Sequence, residues 1–85
     1  MRDVRLYDVY TLKDGNEYAV IGITEYEFKN YLLLSKVINH DELSDKEIKY
    51  VECYEKNGKN VIREVKDSAI ISKLSDIFAS QLKMD

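Results

Sequence analysis

Leu32, Leu33 and Leu34 follow one another in the stretch EYEFKNYLLLSKV, which reads as a strand. Successive side chains of a strand point to opposite faces. Tyr31, Leu33 and Val37 therefore share one face, and Leu32 and Leu34 the other. A strand that is apolar on both faces has to be shielded on both. That is a heavy demand on 85 residues, because a chain of this size buries only about 60–65% of the surface exposed when unfolded.

One helix is on hand to cover one face. In SAIISKLSDIFASQL, residues 68–82, the residues Ile70, Ile71, Leu74, Ile77, Phe78 and Leu82 form a stripe at helical spacing. Asp67 or Ser68 is placed to cap its N-terminus. The other face is left to a curling of the sheet or to a second copy of the chain.

The remaining strands follow from alternation and turn residues. Residues 4–12, VRLYDVYTL, read as a strand with Val4, Leu6, Tyr10 and Leu12 on one face, Asp8 excepted. Asp14-Gly15 then signals a hairpin, and residues 17–26, EYAVIGITEY, return as a second strand. Gly22 inside it marks a bulge or a close approach by the helix. EFKN turns the chain and sets Tyr31 opposite Tyr26 on the third strand. Residues 38–47, polar and acidic, read as a loop.

Two signals compete after that loop. Ser44 and Glu47 have capping-box spacing and Leu43 and Ile48 staple spacing, which would open a helix. Against this, Ile48, Tyr50 and Tyr54 alternate with Lys49 and Glu55, and Asn57-Gly58 joins the run to NVIREV with hairpin spacing. The balance favours a fourth and a fifth strand, with one helical turn at 44–47 compatible with them. The expected fold is thus a single α+β domain over residues 1–85: a mostly antiparallel five-stranded meander sheet with one C-terminal amphipathic helix packed on one face.

This order resembles the YrzB-like family of small bacterial proteins (domain of unknown function twelve-ninety-two). The matching residues are YTLKDGNEYAVIGITEYEFKNYLLLSKV, HDELSDKE, VECYEKNG and IISKLSDIFASQL, nearly the whole chain. Members are usually more acidic, and many open the helix with DEE where this chain has DSA. The resemblance implies the same strand order and a cytoplasmic bacterial setting. It implies no activity and no catalytic residues.

Charge narrows the function. The 13 basic and 16 acidic residues are interspersed and sum to −3. Residues 1–47 hold 10 acids and 6 bases, and residues 48–85 hold 6 acids and 7 bases, so no clustered basic face emerges for phosphate. The longest apolar runs, YAVIGIT and YLLLS, are too short to cross a bilayer, and the N-terminus has no signal-peptide core. A cytoplasmic protein is expected.

Candidate chemistry is sparse. Cys53 is the single cysteine, which excludes an intrachain disulfide. It falls in register with Val51, the ordinary place for a buried thiol, so a nucleophile–base pair with His40 is disfavoured. His40-Asp41-Glu42 makes a poor metal site, since adjacent residues rarely converge on one ion. Gly15, Gly22 and Gly58 are too scattered for a phosphate loop. No catalytic, cofactor or metal residue is assigned.

The aromatics remain, chiefly Tyr7, Tyr26, Phe28, Tyr31, Tyr50 and Tyr54. Tyrosine is favoured at protein interfaces. Base stacking works beside a positive groove, whereas Tyr26 and Phe28 are flanked by Glu25 and Glu27. The expectation is a non-enzymatic interaction module that uses these residues, an uncovered sheet face or an exposed edge strand. Its partner is another protein or a second copy of the chain. A nucleic-acid-associated protein is the alternative.

Overall fold

A computed structural model describes residues 4–40 and 42–82, except the side chain of Leu82. The expected place of Leu82 in the helical stripe and of Asp41 beside His40 thus lies outside the described residues. Within them run β1 (Val9–Thr11), β2 (Glu17–Tyr26), β3 (Lys29–Asn39), β4 (Glu42–Lys56), β5 (Lys59–Glu64) and α1 (Ser68–Leu82). The strands form one antiparallel sheet in chain order, β1-β2-β3-β4-β5. The α+β meander read from the sequence is the fold observed.

The triple leucine divides the core as alternation requires. Leu33 and Tyr31 pack with Leu74 and Phe78 of α1, joined by half-buried Ile21, Tyr26, Tyr50, Val65 and Ile70. Leu32 and Leu34 pack on the opposite face with Tyr18, Val20, Val51 and Cys53. No described helix lies on that second face, yet Val20, Leu32, Leu34 and Val51 are 0% exposed. Curvature of the sheet accounts for this. Leu12, just past β1, and Ile62, in β5, both pack against the same cluster, although β2, β3 and β4 lie between those strands. The sheet is a half-barrel, and its concave side is covered within one chain.

Helix α1 begins where the aspartate cap places it. Asp67 Oδ1 accepts from the Ala69 N–H at 2.9 Å, and the Asp67 carbonyl accepts from Ile71 at 2.9 Å. Both readings of Gly22 hold together. The β2–β3 register slips between Val20 and Gly22, and the ring of Phe78 lies directly over the glycine.

Three expectations are corrected, and one alternative left open is decided. The strand read over 4–12 is cut to residues 9–11. Tyr7 has φ 72°, and the Asp8 N–H donates to the Arg5 carbonyl at 3.1 Å, so residues 5–8 turn. Tyr7 and Asp8 together oppose Val20, whose carbonyl accepts from Tyr7 at 2.6 Å and whose N–H donates to Asp8 at 2.8 Å. Leu6 is left exposed.

Second, Tyr31 pairs with Thr24, and Tyr26 pairs with Lys29. Glu27 and Phe28 alone make the turn, with φ of 51° and 66°. Two positive φ values in succession suit the twist of a two-residue hairpin, and that shortens the turn below the four residues expected.

Third, residues 38–47 are not a loop. β3 continues to Asn39 and β4 starts at Glu42. Among the described residues of 38–47 only Leu43 and Ser44 are half-buried and the rest are exposed, so the polar residues argue against burial and not against a strand.

The alternative left open at 44–47 is decided for the strand: these residues belong to β4. The capping signal is satisfied in another way. Val37 pairs with Leu43 and Ser35 with Ile48, so Lys36 alone opposes residues 44–47, a bulge of four residues against one. Ser44 Oγ accepts from the N–H groups of Lys46 at 3.1 Å and Glu47 at 2.9 Å. Ser35 Oγ donates to the Ser44 carbonyl, and Lys36 Nζ sits 3.2 Å from Glu47 Oε2.

Candidate interaction surface

The half-barrel does not close. Among the described residues β1 and β5 are its edges and do not pair with each other. The backbone pattern shows which groups β5 leaves open. In an antiparallel ladder, pairs that exchange both hydrogen bonds alternate with pairs that exchange none. The Val65 N–H donates to the Tyr50 carbonyl at 2.9 Å, which fixes that pair as a bonded one. Val51/Glu64 and Cys53/Ile62 are then unbonded pairs. The N–H and C=O of Ile62 and Glu64 consequently point away from β4, along the free edge.

Recesses flank that edge on both faces of the sheet. On the concave side lies a groove of about 880 Å³, with Leu12, Val51 and Ile62 among its apolar lining and Tyr54 and Val61 beside them. On the helix side a smaller recess of about 180 Å³ is bounded by Lys29, Tyr31, Val65 and Ile70. Arg63, Glu64 and Lys66 border both.

Charged residues ring the groove. Tyr18 donates its hydroxyl to Asp14 Oδ2 at 2.7 Å, and the Asn16 N–H donates to Asp14 Oδ1 at 2.9 Å. The tyrosine bond, with the backbone bond behind it, holds the Asp14 carboxyl below its ordinary range, and the carboxylate in turn raises Tyr18. Lys49 Nζ bonds Glu64 Oε2 at 3.1 Å and stands 5.8 Å from the centre of the Tyr18 ring. Its hydrogen bond to Glu64 raises the Lys49 pKa. Arg63 bonds Glu52 at 2.8 Å and stands 5.6 Å from the centre of the Tyr54 ring. Lys13 and Lys66 have no ion-pair partner among the described residues. With Arg63 neutralised by Glu52, three cations (Lys13, Lys49, Lys66) against two carboxylates (Asp14, Glu64) leave a local surplus of +1.

The six aromatics singled out in the sequence are not one surface. Phe28 is 97% exposed at the β2–β3 turn, and Tyr7 is 71% exposed ahead of β1. Tyr26 and Tyr50 are half-buried at the margin of the helix-side cluster, with the Tyr50 and Phe78 ring centres 6.2 Å apart. Tyr54 lines the groove. Tyr31 is 3% exposed beneath α1, on the inward face of β3 with Leu33, and meets the surface only where it bounds the helix-side recess. Lys13, Ile62 and Lys66 were not singled out. Their signal was the position of β5 as the last strand of a meander, hence an edge, with basic residues around it.

Other chemistry finds little purchase. Cys53 is 1% exposed, and burial pushes its thiol up, away from the reactive thiolate. His40 is at the far end of the β3–β4 hairpin: Cys53 pairs with Asn30, and the ladder runs from there to Asn39, about 30 Å of strand at roughly 3.3 Å per residue. No group of three or more His, Cys, Asp or Glu among the described residues is placed to hold a metal ion. No described helix is long and apolar enough to cross a membrane. Compared with known proteins, the chain gives no match to a family model, to a curated protein or to a solved structure.

Proposed function

We propose that this chain is a non-enzymatic protein-interaction module that takes an extended segment of a partner protein along the free edge of β5. One observation carries the reading. The outward backbone groups of Ile62 and Glu64 form an open strand edge with a recess on each side. A segment added there would continue the ladder through its main chain, and its alternate side chains would enter the two recesses. β1 is a weaker candidate, being three residues long and preceded by a turn.

Selection of peptides from a random display library on the folded chain, followed by amide-shift mapping, tests this. Selected peptides should move the amides of residues 59–66 and slow exchange at Ile62 and Glu64. Peptides that cluster instead on the β2–β3 turn would refute the β5 reading. The alternative, association with nucleic acid, draws on a different observation: Phe28 is almost wholly exposed and stands next to Lys29. Salt-sensitive oligonucleotide binding lost in Phe28→Ala would establish that reading in place of the first.

A further inference from the structure

We infer that the segment taken by β5 is acidic: an extended peptide whose main chain pairs with Ile62 and Glu64 and whose carboxylates meet Lys13 and Lys66 at the rim of the concave groove. This rests on the reading of β5 as the docking edge and adds the chemistry of the partner.

The argument is one of local against total charge. The chain as a whole is at −3, which would repel an acidic partner. At physiological salt, exposed charges further apart than about 8 Å are largely screened, so a docked segment responds to the rim and not to the total. The rim carries a surplus of +1 once Arg63 is set against Glu52. Of its cations, Lys49 and Arg63 are occupied by Glu64 and Glu52. Lys13 and Lys66, from the β1–β2 connection and from the residues after β5, are the two left without carboxylates. Both belong to the lining of one groove, on an otherwise acidic molecule.

The groove floor sets the rest of the pattern. Leu12, Val51 and Ile62 present apolar surface, so side chains directed inward are best aliphatic. A β-strand alternates faces, so charged and aliphatic residues in alternation satisfy the rim and the floor together. A second copy of β5 fits less well, because KNVIRE carries two basic residues and one acidic one and would add positive charge to a positive rim.

Fluorescence anisotropy with labelled, end-capped heptapeptides tests the inference. One probe alternates glutamate with valine, a second alternates lysine with valine, and a third is a single-stranded oligonucleotide. The glutamate peptide should bind about tenfold or more tighter than the lysine peptide, with the advantage shrinking at high salt. Lys13→Glu with Lys66→Glu should reverse that preference, and both side chains are exposed, so the fold is left intact. Glu64→Pro removes an outward N–H without touching the β4–β5 ladder or the core. It also removes the Lys49–Glu64 ion pair, so Glu64→Gln, which removes that pair and keeps the N–H, is the control: loss of binding in the proline variant and not in the glutamine variant reports the backbone contact.

The outcomes separate the two claims. Equal binding of both peptides, abolished by Glu64→Pro, overturns the acidic preference and leaves the docking edge standing. Binding that survives Glu64→Pro overturns the edge, as does the absence of binding by either peptide. A dimer that Glu64→Pro dissociates, or binding by the oligonucleotide alone, assigns the surface to another occupant and overturns the inference.

Discussion

Gly22 and Phe78 touch so closely that nothing larger than hydrogen fits between them: a Cβ at position 22 would stand 2.7 Å from ring carbon Cδ1 and 2.9 Å from Cε1. Leu33 closes the third side at 3.3 Å, and Phe78 itself is 1% exposed. The ring has no room to swing away. Gly22→Ala should therefore destabilise by about 1–3 kcal/mol through overpacking. Urea unfolding of the single variant, and of Gly22→Ala combined with Phe78→Leu, checks it. The double variant should recover part of the loss caused by the alanine, which non-additivity in the cycle would reveal.

Leu74 is buried with Phe78 where α1 packs on the sheet, and it is 0% exposed. Leu74→Ala should cost about 2–5 kcal/mol, a large share of the stability of a small protein. A melting temperature within a degree or two of the parent would contradict the docking of the helix.

The two-residue turns differ in how well their residues suit them. Asn57 and Gly58, at φ 53° and 80°, are the pair that a type I′ turn favours. Gly58→Val should cost about 1–3 kcal/mol, since a β-branched residue is poor at positive φ. Glu27 and Phe28 hold the same conformation without glycine or asparagine. Phe28→Gly should accordingly stabilise, by up to about 1 kcal/mol, because the exposed ring contributes little packing. Thermal melts of the two variants should shift in opposite directions.

The Tyr18–Asp14 hydrogen bond predicts a pH dependence. The Asp14 pKa is lower folded than unfolded, chiefly through the tyrosine bond. Its contribution is present above the ordinary carboxylate pKa and is lost as pH falls through the depressed folded value, a window below about pH 4. Tyr18→Phe should flatten the stability-against-pH curve in that window. An unchanged acid slope would show that the bond does not form in solution.

What the sequence made legible followed from burial. The helix bounds, both faces of the triple leucine and the Asn57-Gly58 hairpin could be read because each couples a strict period or turn chemistry to the core. Tyr7 was unreadable for the opposite reason: nothing in VRLYDVYTL forbids continued alternation, and the turn is set by the Asp8 carboxylate accepting from the Arg5 N–H at 2.9 Å. Ser44 left two readings open for another reason. A side chain that caps a helix start can equally cap a bulge, because both present a pair of unpaired N–H groups. The groove escaped detection since its walls, Leu12 and Ile62, meet only through the curvature of the sheet, which alternation does not encode.

The bulge at Ser44 has an effect on the hairpin as a whole. Leu43 and Ile48 are five positions apart, an odd interval that would put them on opposite faces of a regular strand, yet they pair with Val37 and Ser35, which are two apart. The bulge thus works as a phase shifter. Inward and outward positions on the tip side of residues 44–47 are reckoned afresh and do not depend on the count that places Tyr50, Val51 and Cys53. A residue gained or lost between Asn39 and Leu43 would leave the core in step. The tip of the hairpin is free to change length and composition at a pace of its own, while the barrel wall beneath it keeps time with α1.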